Sequence, residues 1–553
     1  MSYTNIELSI RRHKCRPVSM MTVLALMIAL PLALQSCSAR QDGDPEETPG
    51  LQINQPEAFD GLNLFGPIDS GMTYLIDNGG RVVHTWESNY RPALQPYLLP
   101  NGNLLRSAAF GIYRNNVFRT GGAGYRIEEF TWEDEKVWEF VYSSDQYTTH
   151  HDIELLPNGN LLILAWEMKT EEEAIAAGRD PEWLKDGELW SEHIIEVKPV
   201  RPDGGEIVWK WHIWDHLIQD FDSSKANYGN VRDHPELVDI NPVDFWLDSM
   251  SDEDMEQLEA LGYLGTEEKE KKSKPNSKVG NADWLHINSI DYNADNDLIA
   301  LSVLGNNELW IIDHSTTTEE AKGHTGGRYG RGGDLLYRWG NPVTYRMGTE
   351  SDQRLFRQHD VHWIPEGLPG AGDILLFNNG PGRSDGKYSS VMQIKPPFTK
   401  EGGFARAGGD PWGPTEPKWE YTAPNKEDFY SVNISGAQRL PNGNTLICSG
   451  APRTFFEVTP DKQEVWRYLM PRSFPMDAQD PDRRIVSTGV FRVHRFSPDY
   501  PAFAGRDLTP SPLLTDHMRE HPPKKPYTFI DRRKIEREAE AAREKERQES
   551  SSR

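Results

Sequence analysis

The pentapeptide Leu-Pro-Asn-Gly-Asn occurs three times, at Leu99–Asn103, Leu156–Asn160 and Leu440–Asn444. Asn-Gly between apolar runs is a strong short-range signal for a β-hairpin. A hairpin repeated along a chain means a repeated supersecondary unit. Each clear copy lies in an apolar run, as in "QPYLLPNGNLLRS", "HHDIELLPNGNLLILA" and "SGAQRLPNGNTLICSG", and weaker copies read "HINSIDYNADNDLIALS" and "QHDVHWIPEGLPGAGDILLFNN". A second pattern alternates with the first. It is an apolar strand, a Gly-rich or charged turn, and a strand closing on tryptophan, at Trp86, Trp138, Trp209 and Trp211, Trp339, Trp419 and Trp466. Two hairpins make a four-stranded sheet, and such sheets repeated radially make a β-propeller. The Trp86 to Trp138 and Trp419 to Trp466 spacings match the ~40–50 residues of known blade repeats.

The expected fold is therefore all-β: a six-bladed propeller over residues 59–515 with helical and loop insertions. The chain begins with second-half strands and ends on a first-half segment, "GVFRVHRFSPDYPAFAG", so the two termini are expected to share one blade and close the ring. The net charge of −25 argues against nonspecific nucleic-acid binding. It leaves room for a small anion held in a local basic pocket.

Arg11, Arg12, Lys14 and Arg16 precede the apolar run Met20–Leu34, which is short for a membrane span. The run leads into Leu34-Gln35-Ser36-Cys37, the pattern of a bacterial lipoprotein signal. Residues 1–36 are read as a signal peptide and Cys37 as the lipidated residue. Residues 37–58 are read as a tether, and the protein is expected in the periplasm or on the outer membrane. With Cys15 lost alongside the signal, Cys448 is the remaining free thiol and no intramolecular disulfide is expected. An insertion spans about 212–283, in which "SDEDMEQLEALGYLG" reads as a short helix and "TEEKEKKSKPNSK" as a charged loop. Glu171–Leu184 reads as a second helical insertion, and 516–553 as a charged tail.

The histidines gather just ahead of the hairpins. His150-His151-Asp152, His286-Ile287-Asn288 and Gln358-His359-Asp360 occupy matching points, continued by Asn433-Ile434-Ser435 and by His494. Residues entering innermost strands face the mouth of a propeller channel. On this register His150 or His151, His286, His359 and His494 converge, as catalysis or metal binding would require. Arg383 closes "LLFNNGPGR" in a turn that can present a guanidinium to a tetrahedral oxyanion, with Asn378 and Asn379 as further donors. His212 and His216 have the i, i+4 spacing of a helical zinc pair, but no metalloprotease carboxylate accompanies them and a structural role is expected. There is no P-loop, dinucleotide fingerprint or nucleophile elbow, and neither a cofactor nor a metal is expected.

"WLHINSIDYN", "ELWIID…YRWGNP", "RQHDVHWIP…DILLFNNGPGR" and "SSVMQIK" resemble the PAPS-independent aryl-sulfate sulfotransferase family, with gaps, from about Thr73 to Thr509. The resemblance implies a bacterial periplasmic enzyme that moves a sulfuryl group from a phenolic sulfate ester to a phenol through a sulfated histidine. It implies that His286 and His359 bind sulfate with Arg383, and that Asn288, His151 and Asp360 neighbour them. One departure stands out. The family's nucleophilic histidine is expected in "SGAQRLPNGNTLICSGAPRTFFEV", which has no histidine and carries Thr454 near that point. Three alternatives follow: a different register, substitution by another histidine such as His494, or no covalent mechanism. Beside the transferase stand two other classes, a non-catalytic envelope propeller binding an anion and a metal-dependent hydrolase or lyase.

Overall fold

The computed structural model describes residues 48–68, 70–110, 117, 118, 120–184, 186–241, 251–260, 282–399, 402–406, 408–472, 489–522 and 524. The three Leu-Pro-Asn-Gly-Asn segments form one turn three times. The amide of the leucine donates to the carbonyl of the last Asn at 2.8–2.9 Å, and the Gly amide donates back to the leucine carbonyl. Gly102, Gly159 and Gly443 have φ of 90°, 84° and 91°, so these are three-residue loops closed by a left-handed residue. The last Asn then reaches sideways. Asn103, Asn160 and Asn444 donate from Nδ2 to Glu129, Glu196 and Glu457 at 2.7, 2.5 and 2.6 Å, each on the third strand of its blade.

Six antiparallel sheets result. The first blade pairs His494–Phe496 with Leu62–Phe65, Met72–Asp77 and Val82–Glu87, so the C-terminal segment closes the ring as expected. The second contains Arg91–Leu98, Leu104–Ala109, Arg126–Phe130 and Lys136–Val141. The third contains Tyr147–Leu155, Leu161–Thr170, Glu188–Pro199 and Gly205–His212. The fourth contains Ile287–Asn293, Leu298–Val303, Glu308–Asp313 and Tyr337–Trp339; the fifth, His359–Trp363, Ile374–Asn378, Ser390–Ile394 and Trp419–Tyr421. The sixth runs Gly436–Arg439, Thr445–Ser449, Thr454–Val458 and Glu464–Leu469, with Gly50–Asn54 added outside. That added strand corrects the tether over 37–58: its last part is sheet, because the exposed edge of the sixth blade offers unpaired amides to the incoming chain.

The tryptophans explain their own periodicity. On each outermost strand one tryptophan donates Nε1–H to a backbone carbonyl of the next blade, while Trp209 donates to Thr316 Oγ1. Trp86 reaches Thr131, Trp138 reaches Gly204, Trp211 reaches Gly333, Trp339 reaches Pro414, Trp419 reaches Pro460 and Trp466 reaches Asn78, all at 2.7–3.0 Å. The series returns to its start, joining the sixth blade to the first. Between blades the apolar faces pack into continuous clusters, such as Leu105, Ile127, Trp138, Ile153, Ile163 and Ile195 between the second and third.

Both expected insertions contain helix. Helix α1, Glu171–Ala176, starts with a capping box in which Thr170 Oγ1 accepts from Glu173 N and Glu173 accepts from Thr170 N. Helix α2, Asp252–Ala260, lies in the 212–283 insertion. The tail expected from residue 516 starts later than that, since Leu514–Glu520 is helical and buries Met518 against the first and sixth blades. The signal segment, Cys37, the "TEEKEKKSKPNSK" loop and the chain beyond 524 lie outside the described residues. Among the described residues no helix is long and apolar enough to cross a membrane.

Trp466→Phe keeps the ring but removes one of the hydrogen bonds that join the last blade to the first. It is expected to lower unfolding stability by about 1–3 kcal/mol, because the Asn78 carbonyl loses its partly buried partner. Chemical denaturation of the full chain checks this, and Trp419→Phe, at a more exposed staple, should cost less.

Candidate functional site

The inner strands of the third, fourth and fifth blades share an irregular start. Pairing slips between Ile163 and Ala165, between Ile287 and Ser289, and between His359 and His362. Left-handed φ values fall at the same places: 47° at His151, 49° at His286, 55° at Arg357 and 58° at Asp360, with 51° at Ile434 in the sixth blade. Such bulges turn a side chain out of the pleat, and a β-branched residue in this region is strained. Here they turn the histidines toward the axis.

His151 and His286 meet with ring centroids 4.4 Å apart, and Phe491 lies 6.3 Å from His151 and 6.1 Å from His359. His150 sits behind, stacked on Trp166 at 4.0 Å, with its Nδ1 3.0 Å from His151 Nδ1 and its Nε2 2.6 Å from Glu192 Oε2. His286 Nδ1 donates to Asp283 Oδ2 at 2.5 Å. His359 Nδ1 donates to Asn379 Oδ1 at 2.7 Å. The Asn379 amide in turn donates to the carbonyls of Ser431 and Ile434, which fixes its oxygen toward the histidine. His359 therefore carries its lone pair on Nε2, a buried atom without a hydrogen-bond partner among the described residues.

Burial dominates the electrostatics. It pushes His150 and His359 down to about 3 and His151 well below the usual histidine range, and neighbouring histidines and Arg492 press His151 further. Burial also pushes the Glu192 carboxyl up, so Glu192 and His150 share one proton at zero net charge. The channel histidines that shift are neutral near pH 7, with lone pairs available for attack or hydrogen bonding.

Beneath them lies a residue that spacing alone does not single out. Arg492, two positions before His494, is 4 % exposed and fills the axis. It bonds Asp152 Oδ2 at 2.8 Å, Asp360 Oδ1 at 2.9 Å and the Asn288 carbonyl at 3.3 Å. Asp152 also accepts from Tyr97 Oη and from Ile290 N, and Asp360 from Ala437 N at 2.8 Å, so all six blades meet here. Burial alone would raise the Asp360 carboxyl; the Arg492 guanidinium and His362 together outweigh it and hold the group well below the carboxylate range. Asp360, expected as a substrate contact, is thus committed to Arg492. Asn288 is a brace, donating to the Gln358 carbonyl at 2.9 Å.

Among the described residues the Arg383 guanidinium has no hydrogen bond to a histidine. It stacks on Tyr388 at 4.4 Å and Phe356 at 5.1 Å, and it donates to Ser390 Oγ and Tyr388 Oη at 3.0 and 3.2 Å. The guanidiniums that bear on His359 are instead Arg357 and Arg492. His494, two residues beyond Arg492, opens the strand His494–Phe496 and lies against Tyr97, with ring centroids 6.4 Å apart. Thr454 begins a third strand away from the axis, and the channel position of the sixth blade is Asn433, 1 % exposed, whose amide O and N have no hydrogen-bond partner among the described residues. The His212/His216 pair is split: Ile213–His216 is a short 3-10 turn, with His212 on Glu167 and His216 on Asp334.

Helix α2 covers this mouth. Met255 and Leu258 pack with Leu94, Val432, Ile434 and Phe491, and Lys387 ties to Asp254 at 2.9 Å. Beneath this cover His151 and His359 are 0 % exposed.

The fold and site together define a six-bladed propeller with a buried histidine layer above an arginine-sealed axis. A model of the arylsulfotransferase (ASST) family matches residues 54–395, and the chain belongs to that family. No protein curated for function matches it. Solved structures are similar at low identity. A protein of unknown function from Bacteroides caccae has 10% identity and a TM-score of 0.39, covering 79% of this chain and 99% of that one. The periplasmic gluconolactonase of Pseudomonas aeruginosa has 11% and 0.37, covering 74% and 96%. A catalytically inactive virginiamycin B lyase from Staphylococcus aureus with quinupristin has 9% and 0.30, covering 76% and 87%. At these values the likeness says nothing about chemistry.

A histidine whose folded pKa is depressed contributes stability that is full above about pH 6.5 and is lost as pH falls toward its folded value. For His359 that window runs from about 6.5 down to about 3. His359→Gln is expected to lose about 2 kcal/mol less than the parent between pH 6.5 and pH 5, at about 1.4 kcal/mol per unit. Denaturation curves at the two pH values read the difference; equal losses would show that His359 is not held neutral.

Proposed function

We propose that the protein transfers a sulfuryl group from a phenolic sulfate ester to a phenol acceptor without PAPS. Family membership supports a transferase of this kind. The observation that carries the assignment of roles is the contrast between two oriented histidines. His359 is held by a neutral amide and pushed down to about 3, so it stays unprotonated and its free Nε2 suits attack on sulfur. His286 is oriented by the hydrogen bond from its Nδ1 to Asp283 Oδ2, which leaves Nε2 for proton transfer.

In the first half-reaction His359 Nε2 bonds to sulfur as the S–O(aryl) bond breaks, and His286 gives its proton to the departing phenolate. In the second, His286 takes the proton from the acceptor phenol, the phenol oxygen bonds to sulfur, and the N–S bond breaks. A loose transition state spreads negative charge over the sulfuryl oxygens, so positioning and fixed donors dominate the rate. Arg357 and Asn433 are assigned to those oxygens, with His151 beside them. Arg383 acts one step outside, through the aromatic pair it stacks on.

The same reading places the protein in a bacterial cell envelope, tethered through lipid on Cys37. A second reading, an anion-binding receptor, is favoured by Asn433 standing where the sixth blade would carry a histidine.

The test is phenol release from a chromogenic aryl sulfate by the full-length protein in detergent, with and without a second phenol. Acceptor-dependent release is expected. His359→Ala and His286→Ala should each lower kcat/KM by about 10²–10⁴-fold, and Arg383→Ala by much less than Arg357→Ala. Saturable ester binding without release would favour the receptor instead.

A further inference from the structure

We infer that Glu167, His193 and His212, on the flank of the third blade, form a binding site for a divalent metal ion of the zinc type. They come from three consecutive strands. His193 pairs directly with His212, and Glu167 lies two residues beyond Ala165, which pairs with His193 on the other side. One ligand atom from each lies within 4.8 Å of the others, and His212 Nδ1 is already 3.2 Å from Glu167 Oε1. Bonds of 2.0–2.1 Å in a tetrahedral site place ligand atoms about 3.4 Å apart, so one edge is nearly formed.

The independent observation is His193. It is 2 % exposed, and its Nδ1 has no hydrogen-bond partner among the described residues. Its other nitrogen, Nε2, lies 3.0 Å from Tyr142 Oη. With Nε2–H donated to that oxygen, the lone pair rests on Nδ1, the arrangement by which an outer partner orients a metal-binding imidazole. The open side of Glu167 is taken by the ammonium of Lys169, 3.0 Å from Oε1 and 4.9 Å from the Trp214 ring. A metal ion would replace this cation, with water completing its coordination.

The other histidine–carboxylate group of this kind, His216, His324 and Asp334, is unsuited. His216 spends Nδ1 on Asp334 and Nε2 on the Ala321 carbonyl, both at 2.8 Å. The proposed site is also separate from the channel, because Glu192 and Trp166, the neighbours of His193 and Glu167 in sequence, point to the opposite face of the sheet toward His150.

The test is zinc binding by chelator-treated full-length protein, followed by titration calorimetry and metal content after gel filtration. The parent should bind one zinc more than His212→Ala. Tyr142→Phe should bind it about 10- to 100-fold more weakly, and Lys169→Met more tightly, since the competing ammonium is gone. Far-UV circular dichroism of each variant checks that it is folded, and any zinc on channel histidines is common to all samples. Equal stoichiometry in parent and His212→Ala, together with unchanged affinity in Lys169→Met, would overturn the site.

Discussion

The bond set around Arg492 is the constraint on which the site depends. One buried guanidinium is shared by Asp152 of the third blade, Asp360 of the fifth and the Asn288 carbonyl of the fourth. Carboxylates in a closed channel are tolerable only when paired and hydrogen-bonded, and leaving one uncompensated costs about 3–5 kcal/mol. Two carboxylates around one cation, each accepting amide hydrogens from a neighbouring blade, fix the inner strands against one another. The tryptophan staples do the same at the rim. Between these two rings of polar contacts the blades are held by apolar packing, which alone does not specify register.

This arrangement also sets the chemistry above it. The Arg492 charge lies beneath the histidines and disfavours their protonation, adding to the effect of burial. A layer of imidazoles with cationic guanidiniums close by offers lone pairs and positive potential together. Sulfuryl transfer needs that combination, a nucleophile that is not itself quenched by protonation and an environment that welcomes negative oxygens. The backbone strain at His151, His286 and Ile434 is a local cost, offset by the packing of the rest of each blade.

Much of this is legible in the sequence, and the reasons differ by residue. Leu-Pro-Asn-Gly-Asn and the tryptophan spacing are read directly because each residue has a local role. The glycine takes a left-handed turn, the asparagine bonds the third strand, and the indole N–H staples the next blade. The register of His151, His286 and His359 follows from the same repeats. Arg492 is hidden because its partners lie more than a hundred residues away in sequence, and an arginine next to His494 carries no periodic signal. Arg383 cannot be placed from its motif, because a Gly-Pro-Gly turn fixes neither direction nor reach. Asn433 is marked by position alone, and an asparagine in a loop is ordinary until its burial without partners is seen. Gly50–Asn54 reads as tether because one short polar strand on an outer edge has almost no pattern of its own.

The most direct test of the account is to incubate the full-length protein with an aryl sulfate in the absence of acceptor, quench it, and map modified peptides by mass spectrometry. The account expects one sulfuryl group on the peptide containing His359, discharged on adding a phenol and absent in His359→Gln. A sulfuryl group on a different histidine, or acceptor-dependent turnover with no trapped adduct in either protein, would contradict it.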